Sequence, residues 1–167
     1  MNYYFQDGHY AAETTNGLDI DSVLMMERMD EVENMSAREN PIYDQISSFS
    51  VALYVLGCCE ADDFLSMQDI DECYAAELLK INFVEINKTD ITPGYKISNN
   101  REKYLMVLGD PVFPKHFAII VNMEKERPFF SKLRYFGSGY DTLEELIHEY
   151  LDEGVTGYED VHYFRLI

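Results

Sequence analysis

An α+β domain, with a central antiparallel sheet flanked by two helices and an N-terminal acidic helical arm, is the fold this sequence predicts. Three observations lead there. The second half is a succession of short aromatic and β-branched runs bounded by turn residues. One segment near the C-terminus carries a capping signal followed by apolar residues at i, i+3, i+4, i+7 and i+8. Between them the strand-to-strand connections are short, which favours antiparallel pairing with helices packed on the sheet.

Taken in order, residues 1–17 are polar and Tyr-rich and end on the turn signal Asn16-Gly17. From about Asp19 to Met35 apolar residues recur at helical spacing, as Val23, Met26, Met29 or as Met25, Met29, Val32. The methionines give that acidic helix an adaptable apolar side, suited to docking or to packing on a core. Asn40-Pro41 breaks the pattern, and the arm is taken as residues 1–48, with the α+β domain at 49–167. Ser50–Gly57 is apolar throughout and fits a buried strand or the end of a helix. Ala61–Met67 is an acidic connector. Ser66-Met-Gln-Asp69 has the form of a capping box opening a helix to about Lys80, with Ile70, Cys73, Tyr74 and Leu78 on one side.

Strands are expected at Gly94–Ser98, Tyr104–Gly109, His116–Asn122 and Phe129–Phe136. Gly137-Ser-Gly139 is a turn, and Asp141-Thr-Leu-Glu144 caps a helix that runs through Leu143, Leu146, Ile147, Tyr150 and Leu151 to Gly154. Val161–Ile167 is a final strand.

Charge divides the chain more sharply than hydropathy. Seventeen acids and two bases, Arg28 and Arg38, fall in the first 79 residues, a balance of −15. From Lys80 onward eleven bases meet fourteen acids, and within Lys96–Arg134 eight bases outnumber four acids. An acidic front and a basic middle suggest two surfaces with different partners, or one covering the other. A net charge of −18 argues against direct nucleic-acid binding and against anionic membranes. The longest apolar run, Val51–Cys59, is nine residues and too short to span a bilayer. The N-terminal residues lack the basic and apolar regions of a secretory signal. Three cysteines, two of them adjacent, form no disulfide framework, so the expected setting is a reducing cytoplasm, the host cytosol if the protein is a pathogen's.

No motif asks for catalysis, a metal or a cofactor. Cys58, Cys59 and Cys73 lack the spacing by which thiolates share zinc. Glu145-x-x-His148 has no second copy of the kind a di-iron bundle needs. Asp19-Ile-Asp21 and Asp69-Ile-Asp71 lack the glycine and distal glutamate of a calcium loop. Gly137-Ser-Gly139 has no lysine and is not a phosphate loop. A cysteine nucleophile paired with His116 would have to be assembled by the fold. Asn40-Pro41-Ile42-Tyr43 resembles in form the Asn-Pro-x-Tyr peptides read by phosphotyrosine-binding domains, which makes Tyr43 a candidate modification site.

From Asp69 onward, strings in sequence resemble a Src-homology-two domain. Ile70–Leu79, with its Ala-Glu-Leu-Leu ending, is similar to the family's first helix. Gly94-Tyr-Lys-Ile-Ser98 lies where its phosphate-binding strand lies. Tyr104-Leu-Met-Val-Leu-Gly-Asp110 and Lys115-His-Phe-Ala-Ile119 resemble the next two strands. Tyr140-Asp-Thr-Leu-Glu-Glu-Leu-Ile-His-Glu-Tyr150 resembles the second helix, and Tyr163-Phe-Arg-Leu166 the closing segment. Leu53-Tyr54-Val-Leu-Gly57 resembles the opening Trp-Tyr-x-Gly. About residues 50–167 are covered. The resemblance implies a peptide-binding module with no catalytic residues. It also implies a departure: the phosphate-holding Arg falls on Ser98 and its helper on Glu72, leaving His116 alone of the set. Lys96, Arg101 or Lys103 would have to replace that Arg for phosphotyrosine to be held.

Two functions follow as expectations. The first is a non-enzymatic protein- or peptide-binding module, an adaptor whose ligand side is Ser98, Arg101, Lys103, Lys115, His116 and Arg134, whose partner is tyrosine-phosphorylated or not, and whose acidic arm covers it. The second is an acidic inhibitor or mimic of the immunity or anti-restriction type, whose front half binds a basic protein by electrostatic steering.

Overall fold

The structure, a computed structural model, describes residues 20–36, 46–151 and 158–167. Among them are four α-helices and a six-stranded sheet: α1 (Ile20–Met35), α2 (Ser48–Val55), α3 (Glu72–Asn82), β1 (Phe83–Ile86), β2 (Tyr104–Leu108), β3 (His116–Ile120), β4 (Phe129–Lys132), β5 (Ser138–Asp141), α4 (Leu143–Tyr150) and β6 (Val161–Leu166). The sheet order is β1-β6-β2-β3-β4-β5 and every pairing is antiparallel. The α+β class with a central antiparallel sheet is therefore the fold adopted.

α2 settles the ambiguity at Ser50–Gly57 in favour of a helix. All eight of its residues are buried, which is why no amphipathic period marks it. Ser47 caps it, its side chain accepting from the Ser50 N–H at 3.1 Å. Phe49 meets Phe117 of β3 edge-on at 4.9 Å between centroids. His116, the preceding residue on β3, points to the other side of the sheet, where it stacks on Tyr150 of α4 at 3.9 Å. The sheet is thus sandwiched, with α2 on one side and α4 on the other.

α1 joins the α2 side. Ser22, Met25, Met29 and Val32 are its buried positions, and Ser36 is buried just past its end, so the Met25-Met29-Val32 stripe is the one that faces in, and it belongs to the same core as the sheet. Polar clips hold both ends. Ser36 O accepts from the Ser138 N–H of β5 at 2.6 Å, and the two serine hydroxyls lie 2.8 Å apart. In between, Glu31 accepts from Tyr54 Oη at 2.6 Å and from the Phe64 N–H at 3.1 Å. Arg28 donates to the Tyr54 carbonyl at 3.1 Å. Ser48, at the expected end of the arm, is the first residue of α2.

Four local expectations are corrected. Gly94–Ser98 forms turns and a single bridge, Lys96 to Asn122, not a ladder strand. β1 directly follows α3, where no strand was expected; it exists because β6 pairs with it from the far end of the chain. Ser138 and Gly139, read as a turn, open β5. α4 ends at Tyr150 with Leu151 as its cap, earlier than Gly154.

Candidate functional site

The register of the sheet separates the six expected ligand residues into two groups. Leu108 pairs with His116 and Leu105 with Ile119, so β2 starts where β3 ends. Lys103, just before β2, therefore sits at the opposite end of the sheet from Lys115, just before β3. Ile119 pairs with Phe130, and continuing that register sets Lys115 opposite Arg134. Ser98, Arg101 and Lys103 share one end of the molecule; Lys115, His116 and Arg134 share the other.

At the first end Arg101 is exposed, and the other basic residues have structural work. Lys103 is buried, and its Nζ donates to Ser22 Oγ at 2.7 Å, to the Ile97 carbonyl at 3.0 Å and to the Asn100 carbonyl. It ties the first turn of α1 to the 97–103 loop. Arg165 pairs with Glu102 at 3.6 Å, and Lys96 with Glu124 at 2.8 Å. Glu102 also accepts from Tyr104 Oη and Thr92 Oγ1, and the Tyr104 bond above all holds its carboxyl below the usual carboxylate range. Ser98 hydrogen-bonds its neighbour Asn99. This end reads as framework.

At the other end Lys115, Lys132 and Arg134 line one cavity of about 200 Å³ with Ser47, Ser48, Phe49 and Tyr150. Its walls come from the first turn of α2, the adjoining ends of β3 and β4 and the last turn of α4. Lys132 is buried, with its ammonium donating to the Leu133 and Phe136 carbonyls at 3.1 and 3.4 Å. Tyr150 Oη accepts from the Arg134 N–H at 3.0 Å, and burial pushes this phenol up to about 12, so it stays neutral. Lys115 is set by a tight turn: its N–H donates to the Leu108 carbonyl at 2.8 Å, and Gly109 beside it holds φ at +88°. A second cavity of about 410 Å³ shares Phe49, Lys115, Arg134 and Tyr150, so the two form one groove.

The groove is rimmed by apolar surface. The β2–β3 turn exposes Val112 and Phe113, and the β4–β5 turn exposes Tyr135 and Phe136. Four large apolar side chains held out on turns, beside two cations, are the usual makings of a contact surface.

His116 lies outside the groove. It is fully buried in the sheet and reaches the site only through its stack on Tyr150. Lys132 and Tyr150, which the sequence did not single out, take its place. Neither carries a sequence signal for binding: Tyr150 reads as one apolar position of α4, Lys132 as a strand residue. Tyr43 lies outside the described residues.

Nothing in the described residues resembles a nucleophile or metal centre. Burial, then the neighbouring Cys59, pushes the Cys58 thiol up to about 12, and burial raises Cys59 as well, the reverse of an activated thiolate. Among the described residues no three His, Cys, Asp or Glu side chains gather as metal ligands, and no helix is long and apolar enough to cross a membrane.

No protein-family description, no curated protein and no solved structure matches this chain. Its chemistry has to be read from its own side chains.

Proposed function

We infer that this chain is a non-enzymatic protein-binding module that docks an acidic peptide segment bearing apolar side chains in the groove between α2, the adjoining ends of β3 and β4, and α4. One observation carries this reading: Lys115, Lys132 and Arg134 converge beside Phe113, Tyr135 and Phe136 at one end of a protein that is otherwise strongly acidic. The apolar rim would supply contact area and the cations orientation. The Src-homology-two resemblance enters as a scaffold only, because the segment holding Ser98 makes a single bridge instead of that family's phosphate-binding strand. An intracellular adaptor role in a reducing compartment accords with three unpaired cysteines.

The test is binding of the purified protein to arrayed acidic peptides with and without aromatic residues, each in tyrosine-phosphorylated and plain form, at low and physiological salt. Tyr135→Ser with Phe136→Ser should abolish capture of the peptides that bind. Capture untouched by that pair would defeat the groove as the docking site.

A second reading has its own observation. Asp21, Glu27, Asp30 and Glu33 of α1 all face solvent, as do Glu60, Asp62, Asp63, Asp71, Glu72 and Glu77 farther on. Arg28 is the only base among the described residues before Lys80. Such a face suits a basic protein partner, as in an inhibitor or mimic. Asp30→Asn with Glu33→Gln would weaken that complex and leave peptide docking in the groove unchanged.

A further inference from the structure

We propose that the groove between α3 and the 58–70 loop docks a basic amphipathic helix of a partner protein, its apolar side on Tyr74, Leu78 and Ile81 and its Lys or Arg side chains toward Glu60, Asp62, Asp63 and Glu77. The assignment is independent of peptide docking between α2 and α4. From the acidic-face reading above it takes only the partner's sign of charge.

The shape of the groove is the first support. Its volume is about 510 Å³, and Met67, Ile70, Tyr74, Leu78 and Ile81 supply its apolar lining. Tyr74, Leu78 and Ile81 fall at i, i+4 and i+7 of α3, a stripe about two turns long, yet Tyr74 is 52% and Ile81 70% exposed. A second helix laid along α3 would cover such a stripe. The opposite wall is preformed: the Phe64 N–H donates to Glu31 of α1 at 3.1 Å and the Ile70 N–H to Ser50 Oγ of α2 at 2.7 Å. Cys58 and Cys59 complete the lining as neutral thiols, since burial raises both.

The charge around it is the second. Residues 58–82 hold seven acids and one base, Lys80. Glu60 lines the groove, Asp62 and Asp63 are exposed on its loop wall, and Glu77 lies between Tyr74 and Ile81 on the same side of α3. Asp63 accepts from the Ser66 N–H at 2.8 Å and keeps its charge. None of these four carboxylates has an ion pair among the described residues. Lys80 projects roughly a third of a turn away from the stripe. Arg28, on the Cys58 side, is engaged by the carbonyl and the ring of Tyr54.

Charge also selects the occupant. A second copy, at a net charge of −18, would meet the rim with like charge. The chain's own segments outside the described residues match no better: residues 1–19 carry three acids and no base, residues 37–45 two acids and Arg38, and residues 152–157 two acids and no base. A basic segment of another protein meets both the apolar stripe and the rim.

The full chain is titrated by calorimetry with a synthetic Leu/Lys helix whose leucines form one stripe, with the same composition scrambled, and with a striped version carrying Glu for Lys. Amide NMR shifts locate the contact. Only the striped Lys peptide should bind, with shifts on α3 and the 58–70 loop. Tyr74→Ser with Ile81→Ser, both at exposed side chains, should weaken it by about tenfold or more. Glu60→Gln with Glu77→Gln should weaken it and flatten its salt dependence. Tyr135→Ser with Phe136→Ser, at the α2–α4 groove, should leave it unchanged. No binding, equal binding of the scrambled peptide, or binding that survives Tyr74→Ser with Ile81→Ser overturns the assignment. Binding that is lost through Asp30→Asn with Glu33→Gln on α1 instead overturns it too, while the acidic-face reading stands.

Discussion

The two ends of the sheet hold similar numbers of cations and arrange them differently. Around β2 and the 97–103 loop, Lys103 is consumed by carbonyls and a serine, and Arg165 and Lys96 by Glu102 and Glu124. Around β3 and β4, Lys115, Lys132 and Arg134 line a common cavity; Lys132 is also held by the Leu133 and Phe136 carbonyls, and Glu72 and Glu149 line the adjoining cavity with Lys115 and Arg134. A count of bases along the chain sees one basic middle. The fold turns it into a clamp at one end and a candidate docking site at the other. What separates them is not charge but what each cation meets, and that depends on strand register.

The largest effect that sharpens this contrast is at Lys103. Its substitution by Ala removes a buried ammonium that donates to the Ile97 and Asn100 carbonyls and to Ser22, which itself donates to the Asn100 carbonyl at 3.4 Å. The expected loss is about 2–4 kcal/mol, read as a shift in the urea midpoint. Arg134→Gln at the other end should stay within about 0.5 kcal/mol in the same assay. Equal losses at the two positions would erase the division between framework and site.

Next comes the turn that presents Lys115. An Ala Cβ at Gly109 would stand 3.1 Å from the Lys115 backbone N and 3.0 Å from its Cγ, at a φ of +88° that L side chains rarely adopt. Gly109→Ala should cost about 1–3 kcal/mol and move Lys115. Peptide binding should fall along with stability, whereas Lys103→Ala, measured well below its unfolding midpoint, should retain binding. A smaller change is Tyr150→Phe. It keeps the stack on His116 and removes the oxygen that accepts from the Arg134 N–H, an expected loss of about 0.5–1.5 kcal/mol in chemical denaturation. An unchanged stability would mean that this hydrogen bond does not set the Arg134 backbone.

How much of this was legible in the sequence can be followed through individual residues. The class, the four central strands β2 to β4 and β6, and the helices α1, α3 and α4 were, because hydrophobic periodicity and turn residues act locally. Caps were legible only to within a residue or more. Thr142 with Glu145, not Asp141 with Glu144, forms the capping box of α4. Asp71, not Ser66, caps α3 by accepting from the Tyr74 N–H. Asp69, expected within that cap, instead reaches back to the Ser47 N–H and Ser50 Oγ at the start of α2. A short acidic side chain near a helix start has several backbone donors in range, and tertiary packing chooses among them. β1 and the site itself were beyond local signals. Phe83–Ile86 becomes a strand only when β6 arrives, and Lys132 and Tyr150 become neighbours only when two helices close on opposite sides of one end of the sheet.

The smallest expected effect concerns acid stability and again divides the molecule. Tyr104 at the framework end holds Glu102 below the ordinary carboxylate value, and the Thr142 backbone with Arg127 does the same for Glu145 on α4. A carboxylate lowered in the folded state contributes stability at pH above its unfolded value. That contribution is lost as pH falls from the unfolded value through the folded one. The native state should therefore weaken as pH drops below about 4.5, near the unfolded glutamate value. Both side chains are largely exposed, so solvent screening keeps each share to roughly half a kcal/mol or less. Urea midpoints measured from pH 6 to pH 3 should fall less steeply in Glu102→Gln and in Glu145→Gln than in the natural chain. Arg134→Gln should leave the slope unchanged, since Glu102 pairs with Arg165 and Glu145 with Arg127 rather than with Arg134. A flattened acid slope in Arg134→Gln would instead reveal an acid partner there, and would turn the candidate docking end into a second framework end.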